Sequence, residues 1–507
     1  MSDERGLTTV WVWGDQLDGR LAHLRGRDPG RTRVLMVVSD RKLTERPWHH
    51  QKVHLVVTAM RRFAARLESD GFAVDLRRAP SMRDGLAAHV DAFDPGEVVA
   101  MEPASRLGTR TLAELGVTLV DNDHFLCHWR EFATFRAGRG RTTMEDFYRW
   151  RRRETGWLMQ DGEPVGGRWN LDTENRRPPD ADIAPRAAAD PPVIDVLDDV
   201  DAGLSDWLPD TIVLTGDAPD GMWATSREGA LERLERFTTR VLPRFGDHQD
   251  AMVTGAWHLN HSLLSHALNL GLLHPREVID AVVAQYTAGA APLNAVEGFV
   301  RQVLGWREFL WGVARTADDG YPTRDALGAD DPLPPAFAGD APTAMRCVDD
   351  TLTSVRQHAY AHHIQRLMVL ANLATLAGVR PDALTDWMHG AFIDAYDWVM
   401  VPNVIGMGTF ADGGEVATKP YVSGGAYIDR MSLDYCRPCR YDRTKRTGED
   451  ACPFTTLYWD FLDRNRDVLA SNHRIGRAYA NLDRLGDLDA VRARAREVRE
   501  RLAAGTL

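Results

Sequence analysis

No apolar run in the 507 residues approaches the ~18 that a membrane-spanning helix needs, so the sequence predicts no such span. Cysteine is scarce at five residues, which excludes a disulfide-stapled scaffold and leaves metal binding or plain burial for those thiols. The opening MSDERGLTTV has no basic-then-apolar leader, and a cytoplasmic location is expected. There is no excess of positive charge, with 61 Lys+Arg against 73 Asp+Glu and a net −12. That excludes a surface coated in basic charge but leaves room for a local basic groove. No GxGxxG follows the first strand, so an NAD site is not supported, and no 20–50-residue repeat marks a solenoid. What remains is a chain of near-average soluble composition, 44% hydrophobic and 26% charged, long enough for two to four domains. It carries fifteen tryptophans, a high count.

The first part alternates strands and helices. Residues 9–13, 34–38, 72–76, 97–101 and 117–120 read as strands, and 53–67 reads as a helix with apolar residues on a 3.6 period. Such alternation predicts a parallel sheet covered on both faces, with Gly14-Asp15-Gln16 at the carboxyl end of the first strand, where such sheets bind ligands. Residues 1–134 are thus expected to form an α/β domain of Rossmann-like architecture. Residues 135–225 form a connector rich in Pro, Gly and charge. There Arg136, Arg139, Arg141, Arg149, Arg151, Arg152 and Arg153 interleave with Phe147, Tyr148, Trp150 and Trp157. A basic, aromatic stretch of this kind suits a phosphate backbone and its bases, while composition alone favours a solvated helix face. From 226 to 507 strand signals vanish, and helices are expected at 229–242, 276–286, 294–314, 350–377 and 452–465.

Four thiols have metal-ligand spacing. Cys436 and Cys439 form a CxxC, Cys452 follows thirteen residues on, and Cys347 lies far upstream. The single CxxC and the Cys-Pro after the last ligand fit either an iron–sulfur cluster or structural zinc. Cys127 reads as a buried thiol. His358, His362 and His363 fall on one predicted helix, where His358 and His362 at i, i+4 could share a metal, although no Glu stands between them as in HExxH. Each alone is more simply a packed residue. Trp306, Trp387 and Trp398 read either as core or as redox stepping stones, and Arg366 with Asp394 and Asp397 as an ion pair or a cofactor clamp.

Longer segments carry a resemblance. WHLNHSLLSHALNLGLL (257–273), EGFVRQVLGWREFLWG (297–312), AYAHHIQRLMVLAN (359–372), DAYDWVMVPNVIGMGTFADGG (394–414) and TKPYVSGGAYIDRMS (418–432) resemble the photolyase/cryptochrome superfamily. The tail YCRPCRYD…ACPFTTLYWDFL is similar to its iron–sulfur bacterial branch, the prokaryotic (6-4) photolyases and related cryptochromes. The resemblance covers nearly the whole chain, GDQL (14–17) and TMEDFYR…GGRWN (143–170) included.

The resemblance implies a large all-α FAD-binding domain behind the α/β domain, with a 4Fe–4S cluster on Cys347, Cys436, Cys439 and Cys452. FAD would contact Ser262, Ser265 and Asn269 through its phosphate and ribose part, and Gln302, Arg366, Asp394, Asp397 and Asn403 around the flavin or adenine. His363 matches the histidine that (6-4) photolyases use in the lesion pocket, with His362 beside it; Tyr421, Tyr427 and Trp306 would line that pocket. Trp387 fits the first tryptophan of the branch's photoreduction chain, but Met388 stands where an aromatic is expected, and PPAFAGDAPTAMRC lacks the tryptophan that relatives carry before Cys347. Electrons would then take another route, such as Trp398. A lumazine antenna (6,7-dimethyl-8-ribityllumazine) would sit near Gly14, Asp15 and Asp40, although SDRKLTERPWHH is a poor match for its contacts. The expected activity is light-driven repair of a (6-4) photoproduct in UV-damaged DNA by a monomer. The competing expectations are a blue-light photoreceptor with the same cofactors, and a dark nucleic-acid-binding iron–sulfur protein.

Overall fold

The computed structural model describes residues 7–507. Five parallel strands, β1 (Thr8–Trp11), β2 (Thr32–Ser39), β3 (Ala73–Ala79), β4 (Glu97–Met101) and β5 (Thr118–Val120), form one sheet in the order β3-β2-β1-β4-β5. All eight residues of β2 are buried, as a central parallel strand covered on both faces requires. The register sets Val10 beside Val34 on one side and Val99 on the other. Helices His50–Ser69, Met82–Phe93 and Arg106–Glu114 make the crossovers.

The strand order reverses direction beside β1, which opens a crevice at the carboxyl ends of β1 and β4. Residues 14–17 fill that crevice and join it to the helical half. Gln16 donates its amide to the Met101 carbonyl at 3.3 Å, and Leu17 N–H donates to Leu270 O at 2.9 Å. Gly271, with φ +87°, leaves only 2.9 Å between a would-be Cβ and the Leu17 nitrogen. A side chain there would push the two halves apart.

The helical half is built on two apolar cores. One is continuous with the sheet and runs from Val10 and Met36 to Phe299 and Leu304. The other surrounds Cys347, Tyr435, Phe454 and Phe461. On its outer side helix Leu488–Ala503 packs against Pro453–Arg464, where Arg464 and Arg499 both reach the buried Asp460 at 2.8 and 2.5 Å.

Two expectations need correction. The helix predicted over 350–377 is two helical stretches. Arg346–His358 ends at Ala359, whose φ of +53° is left-handed, and residues 360–362 are not helical. Periodicity could not show this, because the break is imposed from outside. The last carbonyls of that helix are taken by the N-terminal and connector regions: Gln51 donates to Gln357 O at 2.6 Å and Trp223 to His358 O at 3.1 Å. His358 and His362 are therefore not on one helical face, and the shared-metal expectation for them falls.

The second correction concerns the arginines of 136–153. Helix Met144–Thr155 buries Phe147, Tyr148, Arg151 and Arg152. Arg152 spends its guanidinium on the carbonyls of Trp157, Leu158 and Trp169, and Arg151 on Leu126 O at 2.8 Å. Arg141 donates to Ala417 O at 2.6 Å and Arg149 to Glu145 at 2.8 Å. Much of this stretch cross-links the fold, and a helix whose apolar face is buried must bury the arginines that share it. The connector also forms short helices at Ile183–Ala188 and Asp199–Ala202. Among the described residues, no helix is long and apolar enough to cross a membrane.

Candidate active site and four-cysteine cavity

Besides Phe237–Val241, three segments of the helical half widen into π-helix: Arg301–Arg307, Gln365–Ala371 and Pro402–Gly408. Each carries a residue expected at the cofactor, respectively Gln302, Arg366 and Asn403. Such insertions re-aim side chains and concentrate at functional sites.

Arg366 is the hub of the first constellation. Its two terminal nitrogens donate to the carboxylate of Asp394 at 2.8 and 3.2 Å, and its Nε donates to Ala361 O at 2.6 Å. Ser265 Oγ donates to the same carboxylate at 2.6 Å, and Asn269 to the Asp394 carbonyl at 2.8 Å. Burial works against ionisation of Asp394, but Arg366 and Ser265 outweigh it and hold the carboxyl below its ordinary value. Four residues from three distant motifs thus form one rigid clamp, of the bidentate kind that fixes geometry as well as charge.

The second constellation lies where the chain leaves Ala361. His362 is buried with neither ring nitrogen partnered, and it stacks on His261 with centroids 4.7 Å apart at 13°. Burial, reinforced by neighbouring cationic groups, pushes both rings well below the ordinary histidine value, so both are neutral at pH 7. His363 projects outward with 52% of its side chain exposed, and its Nε2 lies 3.2 Å from Asp250 Oδ1. The ligand atoms of His261, His362 and His363 lie within 4.8 Å of one another. Yet two nearly parallel rings cannot aim their in-plane lone pairs at one ion, so the stacked pair is not arranged to share a metal. Tyr421 and Tyr427 are half-buried nearby. Both lie within electrostatic reach of Arg176 and Asp172, and Tyr427 also of Asp250; burial raises the Tyr427 phenol to about 12.

The third constellation is a small pocket walled by Cys347, Cys436, Cys439 and Cys452 with Met345, Ile428, Tyr435 and Phe454. No three of the four Sγ atoms lie within 4.8 Å of one another. Tetrahedral zinc, with Zn–S near ~2.3 Å, would draw its sulfurs to roughly 3.8 Å apart. The wider frame leaves room for a polynuclear group. Gly425 closes one wall; a Cβ there would lie 3.0 Å from Cys452 Sγ and 3.1 Å from Arg443 Cβ. Gly425→Ala is therefore expected to displace Cys452, to cost about 1–3 kcal/mol and to lower the metal content of purified protein, measured by elemental analysis.

Other expected residues stand apart from these groups. Gln302 donates to Gly298 O within its own helix at 3.0 Å. Trp306 is half-buried, edge-on to Phe309 at 6.3 Å. Asp397 is half exposed and pairs with His389 at 3.1 Å, away from Arg366. Ser262 accepts from Leu264 N–H at 3.4 Å, and the half-buried Asn403 amide makes no hydrogen bond to the protein. Trp387 lies one ring from the clamp, 5.9 Å from Phe392, over which the Arg366 guanidinium sits at 4.2 Å. Trp398 packs edge-on to Phe125 at 5.0 Å, which stacks on Trp311 at 3.9 Å. Asp40 is held by Arg78 at 2.7 Å, while Asp15 is raised to about 6 by burial, with Asp397 adding to the shift.

Sequence reasoning missed His261 and Asp250. His261 stood in the quoted NHSLLS motif, where the serines drew attention instead. Asp250 carried no local signal, because it lies 113 residues from the histidine it serves.

Several known proteins resemble this chain. Residues 10–212 match the family model described as deoxyribodipyrimidine photo-lyase-related protein. A protein of Agrobacterium fabrum named (6-4) photolyase is 40% identical over 494 residues, covering 94% of this chain and 96% of the relative. Two solved structures share the fold. A bacterial class III photolyase from Agrobacterium tumefaciens has a TM-score of 0.58 at 16% identity, covering 99% of this chain and 97% of its own. A cryptochrome from Synechocystis sp. PCC6803 has a TM-score of 0.57 at 12% identity, covering 98% and 100%. At 40% identity over nearly its full length, the chain belongs to the photolyase/cryptochrome superfamily, in the bacterial branch that holds the Agrobacterium (6-4) photolyase.

Proposed function

We propose that this protein repairs UV-damaged DNA in the light, acting on the (6-4) pyrimidine photoproduct. The superfamily implies FAD, which supplies a light-driven electron to the lesion. The residues at the first constellation fit that group. Asn403 keeps an unused amide, Ser262 an unused hydroxyl hydrogen, and the Arg366–Asp394 clamp presents fixed charge. Ser262, Ser265 and Asn269 would take the phosphate and ribose part, and Arg366, Asp394 and Asn403 the flavin or adenine.

The observation that carries the reading is His363. It reaches solvent, its Asp250 partner lies within electrostatic reach of the half-buried Tyr427, and that carboxylate is placed to pair with its protonated ring. With Nε2 held by Asp250, the Nδ1 proton is the one free to move to a lesion. A histidinium at hydrogen-bond distance transfers that proton and stabilises the negative charge that arrives with the electron, which water does poorly. The lesion reaches it flipped out of the duplex, with Tyr421 and Tyr427 to pack on the extruded bases. His261 and His362, both neutral, pack beside His363.

A 4Fe–4S cluster is the group we assign to the four-cysteine cavity, because the thiol spacing exceeds what one zinc ion needs. Of the residues expected at a lumazine antenna, Asp40 pairs with Arg78 and Asp15 is buried with its carboxyl raised to about 6, so neither is a free anionic contact for one. The test is illumination of the reduced holoprotein with an oligonucleotide carrying one (6-4) photoproduct. Light-dependent loss of that lesion and not of a cyclobutane dimer is expected. Flavin and iron–sulfur absorbance without repair of either lesion would turn the assignment to a photoreceptor.

A further inference from the structure

The lesion histidine and the cysteine cavity occupy different sites, yet both arms that hold the histidine turn start from one short segment. That segment, residues 431–435, leads directly into Cys436. Tyr435 walls the cavity and is 1% exposed. Its hydroxyl accepts from the Gln365 amide at 3.1 Å and donates to Asp350 Oδ2 at 2.5 Å. The other end of Gln365, Oε1, accepts the backbone N–H of His362 at 3.3 Å. Gln365 is itself 1% exposed and opens the π-helical segment, so its side chain sets where the non-helical turn 360–362 ends.

The second arm runs through Asp250. Met252 N–H donates to Met431 O at 2.8 Å and Leu433 N–H to Met252 O at 3.0 Å, a parallel bridge two residues beyond Asp250. Thr254 donates its N–H and its hydroxyl to Asp434 at 3.0 Å each, and Gly255 N–H donates to Asp350 at 2.8 Å. Residues 250–255 are thus stitched to 431–435, and Asp350 is shared between the two arms.

We propose that Tyr435 and Gln365 are positioning residues for His363. They lock the His362–His363 turn to the cavity wall, so that the same short segment which delivers Cys436 also fixes the lesion histidine against Asp250. The inference rests on the assignment of proton transfer to His363. A buried polar network of this kind specifies one arrangement when every member is satisfied, and loses that arrangement when one partner is removed.

The test uses three variants of the holoprotein: Tyr435→Phe, Gln365→Leu and the double variant. Iron content, flavin absorbance and affinity for lesion-bearing DNA should match the parent, because packing in the cavity is kept. Repair per absorbed photon should fall about tenfold in each single variant, because each breaks the buried Gln365–Tyr435 hydrogen bond that links the two ends of the relay. The double variant should be no worse than the poorer single one, since both remove one relay. Unchanged repair in both single variants, or losses that multiply in the double, would overturn the relay. His363→Ala, run alongside, separates the two ideas. If that variant repairs normally, it is the assignment of His363 that fails; if it is dead while Tyr435→Phe and Gln365→Leu are fully active, only the relay fails.

Discussion

Replacing His363 with alanine is expected to lower light-driven repair by about 10²–10⁴-fold while flavin and iron content stay as in the parent protein. The size follows from the role: the variant keeps the electron donor but removes the only one of three clustered rings that reaches solvent with a carboxylate partner. His362 cannot substitute. Burial keeps it neutral, and a buried ring with both nitrogens enclosed has no path to a flipped base. Single-turnover repair of a defined (6-4) oligonucleotide measures the effect, with DNA affinity measured separately. Because the side chain is half exposed and its one bond is to Asp250, thermal stability should change by less than about 1 kcal/mol. A repair rate within a factor of a few of the parent would remove His363 from the chemistry.

Asp394→Ala should produce the largest loss of stability, about 3–5 kcal/mol, because it strands the Arg366 guanidinium in a largely buried site. It also removes the acceptor of Ser265 and so loosens both sides of the clamp. Denaturant unfolding gives the stability, and the flavin-to-protein absorbance ratio gives cofactor retention, which should fall with it. Asp394→Asn separates charge from hydrogen bonding, since an amide can still accept from Ser265. The folded-state value of Asp394 lies below its ordinary 3.8. Its ionised form therefore stabilises the fold above that value, and the contribution is lost as pH falls through the folded-state value. The stability gap between parent and Asp394→Asn should accordingly be full at pH 6–7 and narrow only on strong acidification, below about pH 4. A gap that stays constant through that acid range would show that the carboxylate charge contributes nothing.

The clamp, His363 and the cavity differ in how far the sequence reached them. The α/β start was legible because parallel strands buried on both faces are short apolar runs, as in VLMVV at 34–38. Cys436 and Cys439 were legible as a pair because a CxxC declares itself locally, but spacing left cluster and zinc nearly equal. Arg366, Asp394, Ser265 and Asn269 were each matched through a family motif, while their mutual bonds span up to 129 residues and no local pattern encodes them.

The sequence by itself determined the class of the protein: the strand–helix alternation, the helical second half, the four thiols and the long motifs that carry His363 and Arg366. These are local properties, set by periodicity and residue type, and a single chain displays them. Tertiary structure decided the rest. It broke the 350–377 helix at Ala359, because Gln51 and Trp223 capture its last carbonyls from the other end of the chain. It turned the arginines of 151–152 from an apparent nucleic-acid face into internal cross-links. It gave His363 its partner Asp250, and tied that pair to the cysteine cavity through Tyr435 and Gln365. Each of these depends on hydrogen bonds between residues far apart in the chain. Their energies are realised only once the core has brought them together, so nothing in the neighbouring residues announces them.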